Sequence, residues 1–156
     1  YGAIRIQQGG VKDLLNLRSN TVGHDIFISD DYTDDDRRDA NGILTDSGRR
    51  WLQVLGHEAM HVWQHEREGL GYVGEALTAQ WFGDGYDLSK ALADGTSFED
   101  MNPEQQGVMA ELIGVAIREN GSGMLLQSDF EAALGSPLSV DQWDLVDAAH
   151  TVLLEG

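Results

Sequence analysis

The chain has 156 residues, of which 41% are hydrophobic, and this predicts one globular domain that spans residues 1–156. Its 27 acidic and 10 basic residues give a net charge of −17, which argues against nucleic-acid and membrane partners and suits a secreted or exported protein or a salty habitat. Cysteine is absent, so disulfides are excluded and a zinc site would have only histidine and carboxylate ligands.

Two short segments near the start alternate apolar and polar residues, as half-buried strands do. They are residues 3–7 and residues 24–28, and they predict a small N-terminal sheet. Between the two strands, residues 11–17 can form a short helix.

Residues 30–39 form a run of charge, DDYTDDDRRD. Its aspartates could supply oxygen ligands to calcium, but the run lacks the glycine and the glutamate that an EF-hand loop needs at its sixth and twelfth positions. We therefore expect a solvated loop.

The strongest predicted element is a helix from about residue 46 to about residue 68. Thr45 or Asp46 can cap its start, and Gly69 follows its end. The helix should bury an apolar face and turn its other face to a cleft. The predicted buried face holds Leu52, Leu55, Ala59, Val62 and Trp63, and the predicted cleft face holds Arg50, Val54, His57, His61 and Gln64.

The cleft face carries the motif H-E-x-x-H at residues 57–61. At about 100° per residue, His57 and His61 lie one turn apart, a spacing that can hold one Zn²⁺. Glu58 points to the side of that face, where it can take a proton from a metal-bound water without binding the metal. The alternative is a pair of merely structural histidines. His65, one turn further along, is expected to be a polar residue at the edge of the cleft.

Helical signals dominate the rest of the chain, with helices predicted for residues 72–82, 86–93, 103–119, 129–134 and 140–154. Asn102, Pro103 and Gln105 make a strong helix start, and Ser128 and Ser139 can cap the last two helices. The predicted fold class is α+β and mainly helical: a compact zincin-like domain with a small N-terminal sheet and an H-E-x-x-H active-site helix.

A catalytic zinc site usually has three protein ligands, so the motif needs one more. Metzincins would have a glycine and a histidine where Gln64 and Arg67 stand, which favours a carboxylate from a later helix, as in gluzincins. The candidates are Glu75, Glu104 and Glu111, and their spacing leaves all three open.

Three segments in a fixed order carry a family resemblance. They are HEAMHVWQH from His57, YVGEALTAQ from Tyr72, and GYDLSKALADGTSFEDMNPEQQGVMAEL from Gly85. Together they resemble the Vgr-related and Rhs-associated zinc metallopeptidases of bacteria, which are similar to the metallopeptidase-like core domain of extracellular contractile injection systems. Those chains read H-E-x-T-H-V-W-Q, A-Y-D-Y, a stretch with phenylalanine, and E-Q-Q-A. The resemblance spans about residues 24–117.

The resemblance implies that Glu104, which opens the segment E-Q-Q-G, is the third ligand beside His57 and His61. Gly107 replaces the alanine of the family pattern, and such a small residue would let its helix approach the metal-binding helix closely.

Two other departures leave the proposed ligands in place. Met60 replaces the usual threonine, and Leu88 replaces the second tyrosine of A-Y-D-Y. Tyr86 then remains as the phenol in that segment that could donate a hydrogen bond to a developing oxyanion, although an aromatic residue at a helix start is more often a packing group.

The motif and the resemblance together predict a zinc-dependent metalloendopeptidase of gluzincin type that acts on a peptide or protein substrate. In zinc peptidases the strand just before the metal-binding helix often forms the rim along which the substrate backbone lies, and position alone assigns that role to residues 25–29. Zn²⁺ is the expected cofactor, with Glu58 as general base and then general acid. The alternative is a zinc-containing accessory or binding module, with little turnover, in a toxin-delivery or injection-system protein. Glu58 favours catalysis, because a purely structural site does not need a carboxylate beside an open coordination position.

Overall fold

A computed structural model describes residues 3–8, 20–28, 37–42, 45–68, 86–119 and 121–155. The predicted helices at residues 11–17 and 72–82, most of the charged run at 30–39 and the candidate ligand Glu75 lie outside these residues. Within them the protein is mainly helical with a small N-terminal sheet, as the sequence predicted.

The N-terminal sheet has three strands, β1 (Arg5–Gln8), β2 (Asn20–Val22) and β3 (Asp25–Ile28). Their order is β1-β3-β2, with β3 parallel to β1 and antiparallel to β2. A two-residue turn joins β2 to β3, and Gly23 occupies it with a φ of 60° that glycine adopts readily. The three residues of β2 were too few to produce a recognisable alternation in the sequence.

The sheet corrects two predictions. Strand β3 is hydrogen-bonded on both sides, so residues 25–28 are not a free rim for a substrate backbone. Strand β1 is also not half-buried, because residues 3–7 are all exposed. The buried side of the sheet belongs to β3, whose Ile26 and Ile28 are each only 1% exposed.

Helix α1 (Asp46–Glu68) follows the sheet and begins and ends where the sequence predicted. The Thr45 hydroxyl accepts a hydrogen bond from the backbone N–H of Gly48 at 3.1 Å, which confirms one of the two predicted caps. Val62 of this helix packs against Ile26 and Ile28 of β3.

The predicted division of α1 into a buried face and a cleft face is only partly right. Val54, which was assigned to the cleft, packs in the cluster beneath the sheet, and Gln64 is completely buried. Helix α1 is covered on two sides because it lies between the sheet and a later helix.

Helix α2 (Leu88–Ala93) is capped by Asp87, whose carboxylate accepts from the backbone N–H of Lys90 at 2.9 Å. A short 3₁₀ turn at Phe98–Asp100 leads into α3 (Pro103–Glu119). The predicted start of α3 is confirmed as a reciprocal pair. The N–H of Gln105 donates to the Asn102 side chain at 2.9 Å, and the N–H of Asn102 donates to the Gln105 side chain at 3.2 Å.

Helices α4 (Gln127–Leu134) and α5 (Val140–Glu155) complete the chain. The predicted cap of α4 is wrong: the helix begins before Ser128, and its cap residue Leu126 has no side chain that can accept a hydrogen bond. The Ser139 cap of α5 is confirmed, with its hydroxyl 3.3 Å from the N–H of Gln142.

The main core lies where α3, α4 and α5 meet. Phe130 and Val146 are fully buried there, and the Phe130 ring contacts Trp143 edge-on with the ring centroids 6.4 Å apart. Among the described residues, no helix is both long and apolar enough to cross a membrane.

Candidate metal centre

The packing of α1 against α3 brings His57, His61 and Glu104 together. One ligand atom from each lies within 4.8 Å of the other two, and no other such group of three or more occurs among the residues that the structure describes. Glu104 Oε2 lies 3.2 Å from His57 Nε2 and 3.8 Å from His61 Nε2. The three side chains come from two helices and converge on one place, although His57 and Glu104 are 47 residues apart in the sequence.

The close approach of the two helices depends on Gly107. A Cβ atom at this position would lie 2.7–2.9 Å from three atoms of the His57 ring, which is closer than non-bonded atoms tolerate. The structure therefore supports the expectation that a small residue here lets α3 approach the motif helix.

Both histidines turn Nε2 toward Glu104 and Nδ1 toward a different acceptor. Nδ1 of His57 lies 3.8 Å from Glu111 Oε2, and Nδ1 of His61 lies 2.7 Å from the side-chain oxygen of Gln64. Glu111, one of the three candidate third ligands, is thus on the far side of His57 from Glu104. Glu104 is the candidate that the structure places in the group.

The pKa values of the two imidazoles shift in opposite directions. Burial opposes protonation of His57, but the hydrogen bond to Glu104 and the charges of Glu58, Glu104 and Glu111 raise its pKa above the usual value. For His61, burial and the nearby charge of His57 lower the pKa, and they outweigh the opposing influence of Gln64 and Glu104. Burial also raises the pKa of Glu111, against the influence of His57.

Glu58 lies beside the group but not in it. Its side chain is buried, and one carboxylate oxygen lies 2.9 Å from the hydroxyl of Thr21 on β2. The same hydroxyl lies 2.9 Å from the backbone carbonyl of Glu58. Burial raises the pKa of Glu58, while the Thr21 hydrogen bond and His57 lower it and Glu104 raises it further. A raised pKa makes the ionised carboxylate a stronger base for taking up a proton.

Tyr86 stands at the edge of this centre. Its ring lies beside His57, with the ring centroids 6.0 Å apart and the planes tilted by 32°, and the residue is 52% exposed. The structure therefore brings Tyr86 to the site through a ring contact. The predicted donation from its hydroxyl to an oxyanion stays a prediction.

His65 is not part of the His57–His61–Glu104 group. Its ring meets that of His24 edge-on, with the ring centroids 5.8 Å apart, and His24 Nε2 is hydrogen-bonded to a carboxylate oxygen of Glu66. This pair ties the end of α1 to the β2–β3 turn.

Two residues that contact the centre, Thr21 and Gln64, received no role from the sequence pattern. Thr21 lies 37 residues before its partner Glu58, in a strand that the sequence pattern did not indicate. Gln64 was visible three residues after His61, but its complete burial depends on α3. A glutamine three residues after a candidate ligand is a signal that could have been used, because helix side chains at that spacing can touch.

The three residues are close enough together to hold a metal ion. Ligands about 2 Å from one tetrahedral ion lie about 3.4 Å apart, and the distances from Glu104 Oε2 to the two Nε2 atoms, 3.2 and 3.8 Å, are of that size. Two imidazoles and one carboxylate are also a usual ligand set of catalytic zinc, which keeps its fourth position for water or substrate. Searches against protein-family models, curated proteins and solved structures found no match to this chain.

Proposed function

We propose that the protein is a zinc-dependent metallopeptidase of gluzincin type that hydrolyses peptide bonds in peptides or proteins. The observation that carries the proposal is the convergence of His57 Nε2, His61 Nε2 and a Glu104 carboxylate oxygen, with a fourth polar residue, Glu58, buried beside them. A site that only held a structural ion would gain nothing from that extra buried carboxylate, whose burial is costly.

The ligands and Glu58 have separate tasks. His57, His61 and Glu104 would hold the ion, and bound zinc would supply the Lewis acid that activates water and polarises the scissile carbonyl. Glu58 takes the proton from the attacking water and then gives it to the leaving nitrogen. The Thr21 hydroxyl, 2.9 Å from one carboxylate oxygen, fixes the direction in which Glu58 points.

The substrate is proposed to lie along β2 instead of β3. Among the residues that the structure describes, β2 pairs only with β3, so it forms one edge of the sheet. Its middle residue, Thr21, contacts Glu58. An extended peptide that added to this edge would pass close to the general base, with its backbone held by strand hydrogen bonds.

The family membership belongs to the same proposal. The zincin-like fold and the relation to Vgr-related, Rhs-associated and injection-system metallopeptidases rest on the sequence resemblance. The juxtaposition of Glu104 with both motif histidines supports this relation, since the resemblance implied that ligand set.

The first test is the metal content. We expect about one zinc per chain by mass spectrometry after purification in zinc-containing buffer, and a fall in Tm on chelation, because an ion that binds only the folded chain stabilises it. A protein that takes up no zinc and whose Tm does not change with zinc or chelator would refute the proposal.

The second test is Glu58→Gln, which keeps the size of the side chain and removes the base. We expect zinc binding to persist while cleavage of casein or a peptide library falls by on the order of 10²-fold or more. Glu66→Gln, the same substitution two turns further along α1, is the matched control and should keep its activity. Stoichiometric zinc in a wild-type protein that cleaves nothing would favour the accessory-module alternative.

A further inference from the structure

A chain of buried hydrogen bonds runs from His61 to the backbone at the start of α3 and in the 3₁₀ turn before it. Nδ1 of His61 lies 2.7 Å from Gln64 Oε1. Gln64 Nε2 donates to the carbonyl of Pro103 at 3.0 Å and to Gln106 Oε1 at 2.7 Å. Gln106 Nε2 in turn donates to the carbonyl of Phe98 at 2.8 Å. Gln64 and Gln106 are 0% and 5% exposed, so water cannot take over these bonds.

The direction of this chain is fixed by its two backbone ends. A carbonyl oxygen can only accept, so the amide groups facing Pro103 and Phe98 must be the NH₂ groups of Gln64 and Gln106. Turning the Gln64 amide over would point its oxygen at two other acceptors, Pro103 O and Gln106 Oε1, and would leave the buried Gln106 Oε1 without its donor, at about 1–3 kcal/mol. Gln64 must therefore present oxygen to His61.

From this polarity we infer that Gln64 and Gln106 are positioning residues that fix the tautomer of His61. A neutral imidazole carries its proton on either nitrogen, and the side-chain oxygen of Gln64 can only accept. The proton of His61 therefore sits on Nδ1, and the lone pair of Nε2 points at Glu104, where a metal would bind. The two glutamines set this state before any ion arrives.

This chain of hydrogen bonds, called the relay below, also couples the two ligand-bearing helices. Gln64 belongs to α1, three residues after His61, and its amide reaches Pro103 and Gln106, which flank Glu104 on α3. Rotation of the His61 ring would break its bond to Gln64, and sliding of α3 past α1 would break the bonds from Gln64 to Pro103 and Gln106. The relay thus holds two of the three proposed ligands in register with each other, as outer hydrogen-bond partners do in known metal centres.

The inference rests on the proposed function only in stating that the fixed tautomer serves metal binding. The tautomer itself exists without metal. In the metal-free protein, with its histidines labelled with ¹⁵N, long-range ¹H–¹⁵N correlation at about pH 8 reports which ring nitrogen carries the proton. We expect His61, assigned through a His61→Asn variant, to be protonated at Nδ1. A His61 protonated at Nε2 would overturn the inference even if the protein binds zinc.

Substitution separates positioning from ordinary core stability. Gln64→Leu removes the acceptor, and we expect His61 to lose its fixed tautomer and zinc affinity to fall about 10- to 100-fold. Gln106→Met leaves the Gln64 amide with the carbonyl of Pro103 as its acceptor on α3. It should shift the tautomer of His61 and the zinc affinity in the same direction as Gln64→Leu, but by less. Gln105→Leu is the matched control: Gln105 is buried on the same helix turn, but it bonds Asn102 and the carbonyl of Asp87.

The outcomes divide cleanly. If Gln105→Leu lowers the Tm without changing the His61 tautomer or the zinc affinity, and Gln64→Leu changes both, the positioning role is supported. If Gln64→Leu also leaves both unchanged, or if all three variants weaken zinc only in proportion to their loss of stability, the relay is a structural network alone. Should Gln64→Leu fail to fold, the wild-type tautomer and Gln106→Met still decide.

Discussion

Helix α3 has two kinds of interface. Toward α1 its first turns present the polar residues Glu104 and Gln106 and the bare backbone of Gly107. Toward α4 and α5 it presents apolar residues, of which Met109 and Ala116 are completely buried. The same helix therefore builds the candidate metal centre at its start and the main core along the rest of its length.

The two interfaces have different energetic roles. Burial of apolar surface stabilises by about 25 cal/mol per Å² whatever its exact geometry. Burial of carboxylates, imidazoles and amides costs free energy unless each group finds a partner. The α1–α3 interface meets that condition through specific contacts such as the Gln64–Gln106 pair. It also leaves one ligand atom from each of His57, His61 and Glu104 directed at one point. We infer that α3–α4–α5 stabilises the fold on which this interface depends.

The largest expected effect is on the apolar side. Phe130→Ala removes a fully buried ring from the α3–α4–α5 core and should lower the free energy of unfolding by about 3–5 kcal/mol in the metal-free protein. Urea denaturation followed by circular dichroism measures this loss. Zinc affinity, titrated well below the unfolding transition, should hardly change.

Phe130→Leu serves as the milder control if the alanine variant does not fold. A loss of zinc affinity in Phe130→Leu as large as that caused by changing a ligand would show that the two interfaces are not separable.

The next largest expected effect is on zinc binding at the polar α1–α3 interface. Glu104→Ala should weaken zinc binding by on the order of 10²- to 10³-fold, because one metal bond disappears and the remaining ligands lose their geometry. Glu111→Ala should weaken it by only about 10-fold, since Glu111 faces the other nitrogen of His57. Competition with a chromogenic chelator measures both affinities. The opposite ranking would make Glu111 the ligand and Glu104 its support.

Local sequence rules predict the motif helix but not the partner of its two histidines. The bounds of α1 and the one-turn spacing of His57 and His61 follow from local rules of capping and helical period, and the structure has both. The partner of the two histidines is 43 to 47 positions away, beyond the reach of any local period. Residue spacing left Glu75, Glu104 and Glu111 open, and the choice of Glu104 came from the resemblance.

Residues whose role depends on tertiary contact were the ones missed. Gln64 was assigned to the cleft face of the helix, because the helix wheel cannot show that α3 covers it. Thr21 lies in a strand of three residues that forms by pairing with β3. Conversely, Ile4 and Ile6 alternate as half-buried residues do but are 52% and 53% exposed, because a period-2 pattern does not say that a second layer exists.

A smaller effect tests the close approach of α1 and α3. Gly107→Ala puts a Cβ atom 2.7–2.9 Å from the His57 ring, so the helices must separate or the ring must rotate. Either movement takes His57 Nε2 away from the other ligands. We expect a loss of about 1–3 kcal/mol in stability and weaker zinc binding.

Gly114→Ala is the matched control, on the same helix with no atom within 4 Å of the added Cβ. It should stabilise the protein by about 0.5–1 kcal/mol through helix propensity and leave zinc binding alone. Equal behaviour of the two variants would contradict the assigned role of Gly107.

The smallest effect concerns a polar contact on the apolar side. Glu131 of α4 accepts hydrogen bonds from the backbone N–H of Leu138 and from the Gln127 side chain, each at 2.8 Å, and in that order these bonds lower its pKa. Because the folded pKa lies below the unfolded one, Glu131 stabilises the fold above the unfolded pKa of about 4.3 and loses that contribution as the pH falls through its folded pKa.

Glu131→Gln should therefore lower the Tm slightly at about pH 7, and the difference from wild type should shrink as the pH falls through the folded pKa of Glu131, where the wild-type carboxyl group also becomes neutral. Scanning calorimetry of both metal-free proteins across that range measures it. Gln127→Ala, which leaves the Leu138 bond in place, should show a weaker version of the same trend. A Tm difference that does not change with pH would mean that Glu131 acts through its shape and not its charge. Zinc affinity should be the same in both variants as in wild type, because this contact shares no residue with the α1–α3 interface.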